Sequence, residues 1–402
     1  MALDLTSFAA ALKQHYTAER VENMVYMDNP LLAMVAKMEN FGGKNLPIPI
    51  IYGNPQGRSA DFSTAKANKG NSKLKDFVLT RDKDYSLASI DNETLDASKG
   101  DSNAFMEAAT TEIDGAIHSI TRSLAVALYR SGSGSIGQIA ATTNVATNTL
   151  ELSDVEEVTN FEVGMVLTFS TTDGGGTVEV GSVTIDGVDR DAGTITTDAV
   201  LNVAVPTIAP LDFIFVEGDY DAKIKGLDAW IPETAPTAGD NFFSVDRSSD
   251  ATRLGGIRYD GSAEPIEESL VNGASRAGRE GAKVDTCFLS YEKYADLENA
   301  LGSKVQYIEH KQGDIGFRGI MIHGPRGPIK VIPDQNCPND TAYMLTMSSW
   351  RLYSLGKCPR ILDSDGLRML RENDADAVEV RVGYYAQLGC RAPGWNVRVK
   401  LA

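Results

Sequence analysis

Between residues 102 and 130 apolar side chains recur every three or four positions: Phe105, Ala109, Ile113, Ile117, Ile120, Leu124 and Leu128. A helical turn takes about 3.6 residues, so this spacing puts them all on one face of an α-helix. Ser102 or Asp101 can cap its start, and Gly132 and Gly134 end it. At about 1.5 Å per residue the helix spans roughly 43 Å. A compact domain rarely needs that length, so the helix is expected to serve as a beam on which other elements lie.

Before the helix the chain is broken into short pieces. Phe8–Leu12 and Leu31–Val35 are brief amphipathic stretches, interrupted by Pro30 and Gly42-Gly43. Such an arm is ordered only against something larger. Leu46–Tyr52 reads as a strand whose two prolines suit an edge position. A second strand is predicted from about Phe77 to Ile90, with Tyr85, Leu87 and Ser89 on one side and Ser86, Ala88 and Ile90 on the other. Between them lies a long polar tip rich in Gly, Ser, Asn and Lys.

After the helix the character changes abruptly. Residues 133–217 are rich in Val, Thr and Gly, with turn signals at Asp173-Gly174-Gly175-Gly176 and Asp186-Gly187. Short strands are predicted at Met165–Ser170, Thr177–Val180, Ser182–Ile185 and Thr194–Thr197, the pattern of a small antiparallel barrel or sandwich. From 218 to 345 helix and strand alternate. Ser262 is expected to cap a helix with Pro265 in its first turn and Ile266, Leu270, Ala274 and Ala277 buried. Val284–Leu289 reads as a strand. Ser290 then caps a helix that puts Tyr291, Tyr294, Leu297 and Leu301 on one side. Strands follow at Ile329–Ile332 and Tyr343–Met347. Near the end, Val378, Val380, Val382 and Tyr384 alternate with Glu379, Arg381 and Gly383, and Trp395, Val397, Val399 and Leu401 with Asn396, Arg398 and Lys400. Period two of this kind predicts one buried and one solvated face.

Charge is distributed unevenly. The net formal charge is −17, which rules out coating nucleic acid by the overall field. Yet from Asn54 to Arg81 there are six bases against two acids, a net of +4, and Arg58, Lys66, Lys69, Lys73 and Lys75 sit on the tip. Residues 133–217 hold thirteen acids against Arg190 alone, a net of −12. The acidic block reads as an inserted, outward-facing module. The basic tip reads either as a solvated loop or as an arm that seeks an acidic neighbour.

Chemical motifs are weak. Gly132 to Gly137 matches GxGxxG, but a helix precedes it where a dinucleotide loop needs a strand. Asp186, Asp189 and Asp191 lack the closing carboxylate of a calcium loop, since Thr197 and Val200 stand at the twelfth position. His15, His118, His310 and His323 show no metal or catalytic spacing, and His118 is read as a structural residue. Cys287, Cys337, Cys358 and Cys390 form no CxxC pair and are expected as buried, reduced thiols. No catalytic residue, metal or cofactor is predicted. No signal peptide or stretch of roughly 18 apolar residues is seen, so no membrane partner is expected, and the Asn92-Glu93-Thr94 sequon carries no meaning.

The order of elements is informative: arm, hairpin with a basic tip, long helix, α/β unit, period-two strands. Together with Val284–Leu297, Gly327-Pro328-Ile329-Lys330-Val331-Ile332-Pro333-Asp334 and Asp374–Gly389, it resembles the Hong Kong 97-type fold of tailed double-stranded DNA bacteriophage major capsid proteins. The resemblance covers nearly all the chain outside 133–217. It implies an α+β fold: an N-terminal arm at 1–45, an extended loop at 46–92, the spine helix of a peripheral domain at 93–132, an inserted small antiparallel β-barrel or sandwich at 133–217, an axial α/β domain at 218–345, and peripheral strands with the C-terminal strand at 346–402.

On that resemblance the chain is a structural protein that forms hexamers and pentamers, closing an icosahedral head around packaged DNA. The tip, with Arg58, Lys66, Lys69, Lys73 and Lys75, would lie across a neighbouring subunit. The hairpin begins near residue 46, which leaves no room for a long cleavable scaffold, so a separate scaffolding protein is expected. A portal protein is a further expected partner, and a decoration protein a candidate. The location is the virion capsid, after assembly in the host bacterial cytoplasm. Lys66 and Asn373 are conceivable partners for an isopeptide cross-link. Competing readings are an encapsulin-type compartment of the same fold, an acidic enzyme with a β-barrel appendage, and a tail or adhesin-like protein.

Overall fold

The long helix runs from Ser102 to Tyr129. Ile113, Ile117, Ile120, Leu124 and Leu128 are all buried along one face, as the periodicity requires. The computed structural model describes residues 28–91, 102–302, 307–312, 315–363, 370–371 and 375–402. Most of the arm, the sequon, His15 and Asn373 lie outside them, as do the side chains of Phe105, Ala109 and His310. Among the described residues no helix is long and apolar enough to cross a membrane.

One sheet packs along the helix and a second meets its C-terminal end. The first has six strands organised around Ala377–Cys390, which pairs with Asp82–Asp91 along most of its length and with Trp350–Ser354 at its far end. Ala36–Met38 adds to Trp350–Ser354 in parallel. Ala88, Ile90, Val378, Val380 and Val382 pack in one core with Ile113, Ile117 and Leu124.

The second sheet has seven strands in the order Ile257–Asp260, Val397–Lys400, Thr341–Leu345, Thr286–Leu289, Gly327–Pro333, Ile315–Gly324, Tyr307–Gln312. Successive side chains point to opposite faces of a strand. Cys287, Leu289, Ala342 and Met344 therefore face the helices Ile266–Arg279 and Tyr291–Leu301. Phe288, Tyr343 and Leu345 face the core that holds Tyr129, at the end of the long helix. A Cβ on Gly273 would sit 2.8 Å from Val399, so only glycine lets its helix lie this close to the sheet.

The acidic block folds as six antiparallel strands in the order Ser135–Gln138, Phe213–Val216, Val166–Ser170, Val183–Asp189, Thr194–Thr197, Thr149–Glu151. An antiparallel bridge between Ile139 and Leu152 joins the two ends into a closed barrel. Closure removes the exposed edges that invite aggregation. The barrel has its own core, including Phe161, Leu167, Phe169, Ile185, Ile195 and Ile214.

Several local expectations are corrected. The stretch from Phe77 to Ile90 is two strands, Lys73–Thr80 and Asp82–Asp91, with different partners. Arg81 marks the break, its guanidinium over the Phe41 ring and bonded to the Phe41 carbonyl. Thr177–Val180 is not a strand; it follows a loop in which Gly174 and Gly175 have positive φ. Ser262 does not cap the following helix, because its hydroxyl bonds Asp260 and Pro265 takes the cap position. Ser290 does cap the next one, accepting from the Lys293 amide at 3.2 Å. Tyr291 on that helix is exposed, and so is Trp395, which lies in a 3₁₀ turn. Val378–Tyr384 is covered on much of its second face too, since Glu379 and Gly383 are buried. The hairpin Tyr307–Gln312 with Ile315–Gly324 and a short helix at Phe62–Ala67 carried no clear sequence signal.

Candidate assembly surface

The extended loop is a hairpin of Asn45–Gly53 and Lys73–Thr80. Its base is rooted in the main core. Ile48, Ile50, Phe77 and Leu79 are buried, and Phe77 packs 5.2 Å from Trp230, itself fully buried. The Val78 amide donates to the Phe243 carbonyl at 3.0 Å. Arg253 reaches across to the Tyr52 carbonyl at 2.6 Å. Large side chains buried like this contribute about 1.5–3 kcal/mol each, so the root is held firmly.

Beyond Gly53 the chain turns outward into a built tip. Asp61 caps the helix Phe62–Ala67, accepting from the Thr64 amide at 2.8 Å and from the Ser63 and Thr64 hydroxyls. Those bonds, the Ser63 hydroxyl first, hold the Asp61 carboxyl down at about 2. A Cβ on Gly57 would come 2.9 Å from the Lys69 Cα, so glycine permits the two sides of the tip to close. Arg58, Lys66, Lys69 and Lys73 are exposed and Lys75 half-buried. None of the five pairs with a carboxylate among the described residues. Three apolar side chains share this surface: Phe62 is 82% exposed, Ile51 61% and Leu74 55%. Sequence reasoning passed over them; the signal was present as apolar residues inside a polar run.

Behind the root, polar hubs tie the elements together. Lys223, nearly buried, bonds Asp84 on the strand after the hairpin, Asp219 at the barrel exit at 3.0 Å, and Ser123 on the long helix at 2.9 Å. Burial pushes the Asp219 carboxyl up, and Lys223 opposes it. Gln387 spans the same region, donating to Thr80 and Asp82 and accepting from the Lys225 amide. Asp334, in the Pro333-Asp334 step, is buried and accepts from the Leu31 amide at 3.2 Å and the Tyr129 hydroxyl at 2.9 Å. It thus joins the described end of the arm, the long helix and the seven-stranded sheet, and burial pushes its carboxyl up.

Little else is suited to chemistry. Gly132 and Gly134 have positive φ and link the long helix to the first barrel strand; a Cβ on Gly134 would lie 2.2 Å from the Asp219 carbonyl. Asp189 accepts from the Asp191 and Ala192 amides, closing its own hairpin turn. His118 is exposed on the long helix, where sequence reading made it structural. The four cysteines are buried and unbridged, and burial pushes the Cys390 thiol up to about 12. Among the described residues no cluster of His, Cys, Asp or Glu is placed to hold a metal.

Comparison with known proteins bears on this arrangement. Residues 216–383 match the family model described as SU10 major capsid protein. A search of curated proteins finds no match. Among solved structures, the capsid asymmetric unit of Cyanophage A-1(L) is similar at 13% identity and a TM-score of 0.53, covering 93% of this chain and 92% of that one. A structure from Mycobacterium phage Bobi is similar at 10% identity, TM-score 0.43, covering 100% and 99%. A virus-like particle from Pyrococcus furiosus is similar at 9% identity, TM-score 0.40, covering 95% and 96%. The cyanophage likeness establishes the fold over nearly the whole chain, and the family match covers residues 216–383. The chain has the Hong Kong 97-type fold seen in tailed-phage capsids, and its residues 216–383 match a phage major capsid protein family.

Proposed function

We propose that copies of this chain assemble as pentamers and hexamers, closing an icosahedral head around packaged double-stranded DNA. The observation that carries this is the hairpin: a root fixed in the core and a tip that displays exposed Phe62 with Arg58, Lys66, Lys69 and Lys73, none of which forms an ion pair among the described residues. Apolar and charged side chains displayed together on such a tip suit burial against a neighbour. Exposed ion pairs are worth about 1 kcal/mol or less each, so the stability of the shell comes from repetition. The net charge of −17 disfavours a sticky inner surface, and the DNA is enclosed without sequence readout. Assembly in the host bacterial cytoplasm would proceed with a separate scaffolding protein and a portal, and a decoration protein would find the barrel accessible.

Negative-stain microscopy with size-exclusion light scattering, on the protein alone and with its neighbouring genes co-expressed, tests this reading. Rings, capsomers or uniform shells are expected. A monomer or dimer that never assembles, even with the candidate scaffold present, would sink it.

A further inference from the structure

We propose that the basic tip docks into one particular surface of a second copy, the acidic cleft between the barrel and the seven-stranded sheet. The inference rests on the shell reading above and names the tip's receptor. The cleft has a volume of about 780 Å³. Eight carboxylate side chains line it against three bases, Arg130, Lys293 and Arg398, so its net charge is −5. All three bases are already committed, Arg130 to Glu157, Lys293 to Asp296 and Arg398 to Asp228. Glu156, Asp173, Glu292 and Asp340 are exposed at the cleft and make no ion pair among the described residues. These four acids are opposite in sign to the five unpaired bases of the tip.

A second observation is independent of the charge. Tyr343 also lines the cleft and is fully buried, yet its hydroxyl has no hydrogen-bond partner among the described residues. Leaving a buried phenol unsatisfied is unfavourable, and a group of this kind in a native protein calls for an explanation. A lysine ammonium can donate to the phenol oxygen and a peptide carbonyl can accept its proton. A lysine-bearing segment supplies both. The cleft is assembled from two units, so tip binding would also clamp the barrel to the sheet in the receiving copy.

The test uses the full chain and shells formed from it. Lys66→Glu with Lys69→Glu reverses the tip; Glu156→Lys with Asp340→Lys reverses the cleft. Each pair is expected to cut shell yield about tenfold or more at physiological salt, while circular dichroism of the unassembled chain stays unchanged. All four substitutions together should restore assembly, because the coupling of the two sites survives exchange of sign. Carbodiimide treatment of unaltered shells made from a mixture of isotope-labelled and unlabelled chains should yield amides between Lys66 or Lys69 of one copy and Glu156 or Asp340 of another. The proposal is overturned if reversal of the cleft leaves assembly intact. It is also overturned if the fourfold variant stays defective and the cross-links map elsewhere, which would give the cleft to a different basic segment. Failure of the unaltered chain to assemble at all is a separate result, and removes the shell reading with the docking that depends on it.

Discussion

Two cross-strand pairs of the same hairpin have opposite surroundings. Near the root Ile48 stands opposite Phe77, and both are buried. Near the tip Ile51 stands opposite Leu74, and both are more than half exposed. Each is an apolar pair across an antiparallel ladder, worth about 0.2–1 kcal/mol as a pair. The root pair has Trp230 and the main core to complete it, while the tip pair faces outward beside Phe62. The same local chemistry therefore serves folding at one end and, on the reading proposed here, assembly at the other. An apolar pair on a strand tells which face is meant to be covered, but not by which chain.

The largest expected effect comes from the root. Phe77→Ala empties a site against Trp230 and Phe242 and should lower the stability of the unassembled chain by ~3–5 kcal/mol, read as the shift of the denaturant midpoint. A loss below ~1 kcal/mol would show that the root is no better packed than the tip and would dissolve the contrast.

The second effect tests the polar support behind the root. Lys223→Met removes the cation between Asp84 and Asp219 and should cost ~3 kcal/mol near neutral pH, as breaking a buried pair does. Its pH dependence has a definite sign. The Asp219 carboxyl is raised by burial in the folded chain, so the folded state holds its proton more tightly, and stability from this group falls as pH climbs above the ordinary value of 3.8. Without Lys223 the carboxyl rises further. The gap between variant and parent should therefore be small in acid and widen from about pH 4 upward; a gap constant with pH would remove the electrostatic account.

The smallest effect on the isolated chain lies at the tip. Asp61→Ala should leave the unfolding midpoint unchanged while the Thr64 amide loses its protection from hydrogen exchange, because the cap orders only the tip helix. In the parent protein, NMR titration of the Asp61 carboxyl carbon should give a midpoint near 2. A midpoint at the ordinary aspartate value would mean that the tip is not capped before assembly, and the sharp division between a folded root and a preformed tip would blur.

The long helix and the caps and faces of its shorter relatives could be read because the determining contacts lie three or four residues apart. Thus Ile113 to Leu128 and Ser290 with Leu297 fell where their spacing put them. The alternation of Val378, Val380, Val382 and Tyr384 was equally local. Of the candidate site, the five bases were visible as a charge asymmetry, whereas Phe62, Ile51 and Leu74 were not singled out.

What the sequence by itself determined, then, was the kind of each strong element, the resemblance in their order, and the opposite charges of tip and barrel. Tertiary structure alone decided the partners. It split Lys73–Asp91 at Arg81 and sent one half to Asn45–Gly53 and the other to Ala377–Cys390. It closed the barrel through Ile139 and Leu152, and gave the last strand, Val397–Lys400, to the seven-stranded sheet. It also gathered Glu156, Glu292 and the near neighbours Asp340 and Tyr343, from three separate stretches of the chain, around one cleft. The reason is physical: periodicity records which face of an element is apolar, whereas pairing and the placing of buried polar groups depend on contacts from tens to hundreds of residues apart, which no local pattern encodes.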